Sequence, residues 1–156
     1  MAQRNQSAIE RSTEYVTMTV GGQLFGLPIG RVQDVFIADR LTRVPLAPRE
    51  VAGILNLRGR IVTAIDMRCR LDMEKRTEGQ PTMAIGIDLC GESYGLLVDA
   101  VGEVMKFPDT ACEAKPANID LRWARLASGV IRLDGRLLVV LDVDRLLDMR
   151  THTAAA

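Results

Sequence analysis

Residues 51–66, VAGILNLRGRIVTAID, carry two apolar runs, Val51–Leu55 and Ile61–Ile65, joined by the polar link Asn56-Leu57-Arg58-Gly59-Arg60. Short runs rich in Val and Ile around a glycine-bearing link spell a β-hairpin. The same pattern returns 76 residues later. GILNLRGRIVTAID (53–66) lies over GVIRLDGRLLVVLD (129–142), with both glycines, the apolar run and the closing Asp aligned. A second match has an offset of 69. GQLFGLPIGRVQDV (22–35) lies over GESYGLLVDAVGEV (91–104), so that Phe25 faces Tyr94, Ile29 faces Val98 and Asp34 faces Glu103. The change of offset places about seven extra residues of the second copy in the Asp109–Ala127 connection. Two matches in one order argue for duplication.

Working outward, Tyr15–Val20 and Leu24–Ile29 flank the turn signal Gly21-Gly22, and Met83–Leu89, Tyr94–Val98, Gly129–Leu133 and Arg136–Val143 read as further strands. Short helical pieces are expected at Pro48–Ala52 and Val143–Met149, and a helix-like turn at Leu121–Leu126. The polar residues 1–13 read as a disordered arm, 14–150 as the folded domain and 151–156 as a tail. The copies, about 15–72 and 82–148, would form two β subdomains, sequential or interdigitated. Neither is large enough to bury much core alone, so they should pack together.

In the second copy the hairpin turn is Asp134-Gly135, a pair suited to a type I′ turn, where both central residues take positive φ. The first copy has Arg58-Gly59 there. A type I′ turn would strain Arg58 by roughly 1 kcal/mol, whereas a type I turn with Gly59 as bulge residue would carry it freely. Either way Arg58 is a guanidinium at a hairpin tip, suited to a bidentate carboxylate contact, and Asp34 is one candidate partner.

Composition narrows the function. Twenty Lys and Arg balance twenty Asp and Glu, leaving no basic stripe for nucleic acid and no footprint for an anionic membrane. No apolar run reaches membrane-spanning length. Cys69, Cys90 and Cys112 are widely spaced and form no Cys-x-x-Cys pair, which argues against a thiolate metal site and for a reduced, cytoplasmic setting. The only histidine is His152 in the tail, and no serine sits in a Gly-x-Ser-x-Gly context. Asp142, Asp144 and Asp148 read as a strand end with a helix cap rather than a metal corner. No enzyme, cofactor or metal is expected. The single tryptophan, Trp123, offers no aromatic cage to a small ligand.

The run 51–66, together with FGLPIGRVQDV (25–35), GLLVDAVGEV (95–104) and LVVLDVDRLL (138–147), resembles the CheW family of chemotaxis coupling proteins, in order and over about Glu14–Met149. The resemblance implies a mainly β fold, with two SH3-like five-stranded barrels packed around a shared core and short helices. It implies a non-catalytic adaptor that binds the cytoplasmic tip of methyl-accepting chemoreceptors and the regulatory domain of a CheA-type histidine kinase. It further implies other coupling proteins as neighbours in array rings, and a cytoplasmic protein recruited to membrane-bound receptors. An adaptor of another chemosensory circuit, such as twitching motility, would share the fold; a small-ligand-binding β module is the other alternative. By position, Val32, Asp34, Arg58 and Gly59 match the receptor-facing region, and Ile54 and Leu57 would add an apolar floor. The family commonly has Glu where Asp34 stands, paired with the arginine; the shorter acid implies a looser or water-bridged pair. It often has Pro where Thr63 stands. Kinase contact falls on the second subdomain, with Val98, Val101, Gly102 and Val104 as candidates.

Overall fold

The computed structural model describes residues 11–74, 82–114 and 121–148. The strands are β1 (Ser12–Val20), β2 (Gln23–Pro28), β3 (Asp34–Ile37), β4 (Val51–Leu57), β5 (Arg60–Asp66), β6 (Met83–Leu89), β7 (Glu92–Val98), β8 (Ala100–Pro108), β9 (Cys112–Glu113), β10 (Ala127–Leu133) and β11 (Arg136–Leu141). Short helices are α1 (Met67–Arg70), α2 (Leu121–Ala124) and α3 (Val143–Leu147). The expected helix at Pro48–Ala52 is absent: those residues turn and then enter β4, while a helix forms instead after β5. There Asp66 caps α1, accepting from the Arg68 and Cys69 amides. Its repeat mate Asp142 caps α3 through the Arg145 amide. The arm expected over residues 1–13 ends sooner, because Ser12 and Thr13 pair with Pro108 and Phe107 of β8. Residues 1–10 and the expected tail lie outside the described residues.

One sheet runs β8-β1-β2-β11-β10-β9 and the other β3-β6-β7-β5-β4. The repeat offsets convert one order into the other, strand for strand, with β9 as the additional sixth strand. Each sheet mixes the copies. β2 of the first copy pairs in parallel with β11 of the second, Phe25 opposite Val139, and β7 of the second pairs in parallel with β5 of the first, Ile65 opposite Leu96. Even the irregularities repeat. The register shifts between Val51 and Gly53, and again between Ala127 and Gly129. Beside the first bulge Thr42 bridges Ile54, and beside the second Glu113 pairs with Val130.

Three apolar clusters explain why the strands read as nearly unbroken apolar runs. Tyr15, Leu24, Ile131, Leu138 and Val140 fill the first barrel. Leu55, Val62, Ala64, Ala84 and Leu97 fill the second. The largest cluster lies between them and draws Met18, Phe25 and Leu27 from one sheet and Ile65, Ile85 and Leu96 from the other. Successive residues of β7 therefore alternate between two dry environments: Leu96 and Val98 join the shared core, and Leu97 joins its own barrel. This is the mainly β, double-barrel class implied by the sequence, with short helices at the strand ends.

Candidate functional site

The β4–β5 tip is a two-residue turn, with Leu57 opposite Arg60. Arg58 has φ 54° and Gly59 has φ 85°, the type I′ arrangement, so the strained alternative is the one adopted. The tip is held by the Gly59 amide, which donates to Asn56 Oδ1 at 3.0 Å. The corresponding expectation for the second copy is corrected. Gly135 has φ 83°, but Asp134 is not among the residues with positive φ, so Asp134-Gly135 is not a type I′ turn. Gly21-Gly22 and Cys90-Gly91 do take that form, at 59° and 82°, and at 52° and 82°.

Arg58 is exposed. No ion pair joins it to Asp34. The Asp34 side chain, at the start of the edge strand β3, lies over Gly86 of β6, and its Oδ1 atom is buried with no hydrogen-bond partner among the described residues. The physical reason is periodicity. Asp34 shares a crevice with Leu57, Arg60, Val62 and Tyr94. Arg60 has the same parity along β5 as Val62 and Ala64, the barrel-facing residues, whereas Arg58 belongs to the turn itself. Arg60 is therefore the arginine that lines the same crevice as Asp34, although no ion pair joins them. It was missed in the sequence, although counting back from Val62 by twos would have found it.

The remaining candidates divide. Val32 ends a 3-10 turn and packs against the shared core, as does Val101. Ile54 is half-buried at its bridge to Thr42, and Leu57 packs on the second barrel's cluster. Val98 is 0% exposed within the shared core, which removes it from any surface. Gly102 and Val104 are exposed on β8, Val104 at 49%. A Cβ at Gly102 would stand 2.6 Å from Thr17 Oγ1, so this glycine accommodates the neighbouring strand. β3 and β8, repeat mates at the edges of their sheets, both present apolar side chains outward: Val35 and Ile37 on one, Val104 on the other.

Near the crevice the Tyr94 hydroxyl donates to the Glu92 carboxylate at 2.7 Å, and this bond, aided by burial, pushes the phenol up to about 12. Across the junction Arg68 forks onto Asp99 at 3.0 and 2.7 Å, and that same carboxylate accepts from the Gly21 amide. The buried Arg70 guanidinium donates to the Leu146 and Arg145 carbonyls at the end of α3, and desolvation lowers its pKa. These charged groups tie strand ends to helices, and no group of three or more His, Cys, Asp or Glu able to hold a metal ion occurs among the described residues.

The family model described as CheW-like domain matches residues 14–151. The chain is 27% identical over 134 residues to the Chemotaxis protein CheW of Klebsiella aerogenes, covering 86% of this chain and 81% of that one. It is 30% identical over 112 residues to the Protein PilI of Pseudomonas aeruginosa, covering 71% of this chain and 62% of that one. The crystal structure of the scaffolding protein TtCheW from Thermoanaerobacter tengcongensis superposes with a TM-score of 0.78 at 28% identity, covering 89% of this chain and 94% of that one.

Proposed function

Because the chain belongs to the CheW-like domain family, we propose that it works as the docking partner between chemoreceptors and a CheA-type histidine kinase, as a coupling scaffold of chemotaxis signal transduction. The observation that carries this reading is the family match over residues 14–151, on a chain whose two barrels interleave into one body. The partners are the cytoplasmic tip of methyl-accepting receptors, the regulatory domain of the kinase, and other coupling proteins in the same array. Recruitment to receptor arrays accounts for work at a membrane by a chain in which no described helix is long and apolar enough to cross one. The protein acts by contact rather than catalysis.

The receptor-facing patch is the Arg58-Gly59 tip with Asp34, Leu57 and Ile54 around it and Val32 behind. In its support, a strained arginine stands exposed at a turn where asparagine or glycine would cost less. A guanidinium fixed there can fork onto a carboxylate of a receptor helix, while half-buried Ile54 and Leu57 supply apolar contact. The kinase-facing patch is the β8 edge, with Val101, Gly102 and Val104; an open strand edge suits barrel-to-barrel pairing.

The test is co-sedimentation of the purified chain with receptor cytoplasmic fragments and kinase. Arg58→Glu should lose receptor binding and keep its circular dichroism spectrum. Full binding by the variant would remove the assigned role, and no binding of either partner by the native chain would end the reading. The likeness to Protein PilI favours a second reading, an adaptor of another chemosensory circuit. Selective capture of a kinase from a different circuit would support it.

A further inference from the structure

The duplication relates two places at the junction of the barrels, one filled and one open. In the filled one, Trp123 of α2 stands edge-on to Phe25, with ring centroids 5.4 Å apart at 77°. Its indole N–H donates to the Leu71 carbonyl at 3.2 Å. The guanidinium of the preceding Arg122 lies 6.0 Å from the indole centroid and donates to the Asp72 carbonyl at 2.7 Å. One half of the molecule thus contains a seated arginine–tryptophan pair.

The repeat offsets carry Phe25 to Tyr94, Leu71 to Leu147 and Asp72 to Asp148. Those three residues, with Glu92 and Asp144, line an open cavity of about 860 Å³. What is missing is the plug. Trp123 precedes Leu126 by three positions, and Leu126 accepts from the Asp142 amide. In the other half Glu50 accepts from the Asp66 amide, and the residue three positions before it is Ala47. A methyl group stands in register where the mate has an indole.

We propose that this cavity is a socket for a tryptophan side chain of a partner protein, with an arginine or lysine beside it in the same segment. The occupant comes from outside, since the chain's single tryptophan is already seated. The indole would meet the Tyr94 ring as Trp123 meets Phe25. The cation's place differs in one respect: the Asp148 carbonyl, mate of the one that takes Arg122, is already held by Arg70 at 3.3 Å. The charge partner falls instead to the carboxylates of the rim. Glu92 is fixed there by the Tyr94 hydroxyl, and the Asp144 side chain stays 70% exposed beside its bridge to Arg31. An apolar floor, an aromatic wall and an acidic rim together select an aromatic side chain accompanied by positive charge. The inference rests on the internal repeat and is independent of which receptor or kinase the chain serves.

The test titrates the isotope-labelled full chain with two blocked dipeptides, N-acetyl-Arg-Trp-amide and N-acetyl-Glu-Trp-amide, followed by amide NMR. Saturable shifts should be confined to Leu89–Tyr94 and Asp144–Asp148. The arginine peptide should bind at least about threefold tighter, the effect of an exposed ion pair. Cys90 is the exposed thiol and lines the cavity, whereas burial pushes the Cys69 and Cys112 thiols up. Selective attachment of a bulky maleimide to Cys90 should abolish the shifts, and Glu92→Lys should erase the preference between peptides. Shifts that fail to saturate, that fall elsewhere, that are equal for the two peptides or that survive the Cys90 block would each overturn the socket.

Discussion

Arg58 illustrates a local rule broken at an exposed position. Its φ of 54° places a side chain with a Cβ where glycine or asparagine would sit more comfortably. Arg58→Asn creates the Asn-Gly pair that type I′ turns favour, and should stabilise the protein by about 0.5–1 kcal/mol, read as a higher urea midpoint. Arg58→Ala keeps the strain and removes the guanidinium, so the midpoint should stay within about 0.5 kcal/mol while receptor binding falls. Tyr94 makes a pH-dependent prediction. Its phenol ionises at about 12 rather than 10.0, because Glu92 accepts from the neutral form. Folding therefore favours the protonated phenol: its contribution is complete below about pH 10 and is lost as pH rises through about 12. Glu92→Ala should bring the ionisation back towards the ordinary value, seen in the ultraviolet absorbance of phenolate.

Among the elements, the two bulged hairpins show why glycine recurs at the same place in each copy. A Cβ at Gly53 would stand 2.5 Å from the Thr42 carbonyl oxygen, and one at Gly129 would stand 2.7 Å from the Glu113 carbonyl oxygen. Each glycine lets a neighbouring backbone cross the hairpin where the register shifts. Gly129→Ala should cost about 2–3 kcal/mol, because backbone rather than a flexible side chain must move, and the loss should appear as a lower melting temperature. The Arg68–Asp99 fork is the corresponding tie between α1 and the β7–β8 corner, with side chains 19% and 22% exposed. Asp99→Asn should cost about 1–2 kcal/mol, since one oxygen can still accept from Gly21 but the charge pair is gone. Thermal melts at low and high salt would show that cost falling as salt rises, which a purely steric effect would not do.

For the molecule as a whole, the crossed pairing of the copies makes cooperative behaviour unavoidable. Neither barrel closes without a hairpin from the other copy, and the largest apolar cluster belongs to both sheets. Trp123 fluorescence, which reports the first barrel's side of the junction, and far-ultraviolet circular dichroism should therefore give one coincident urea transition. Leu96→Ala lies at 0% exposure in the shared core and should cost about 2–5 kcal/mol while keeping the two probes coincident. Separate transitions for the two probes would contradict an interleaved fold.

The strands most visible in the sequence are those with apolar residues on both faces, such as Leu96-Leu97-Val98 and Leu138–Leu141. β3 and β8 were not read as strands because they are edges with mixed patterning, and their formation depends on β6 and β1 beside them. The site was legible as a tip arginine and an acid in the same repeat, but the contact expected between Arg58 and Asp34 does not form. Parity along β5 puts Arg60, not Arg58, on the crevice that Asp34 lines, and only the assembled barrel brings that parity to bear. By itself the sequence determined the duplication, the hairpins, the aspartate cap of α3 and the family, because those depend on neighbouring residues and on periodicity; the Asp66 cap and α1 behind it were not expected. Which copy supplies which strand was decided by tertiary structure, since the pairings of β2 with β11 and of β5 with β7 join segments far apart in the chain, and burial of a common core chooses between crossed and uncrossed partners.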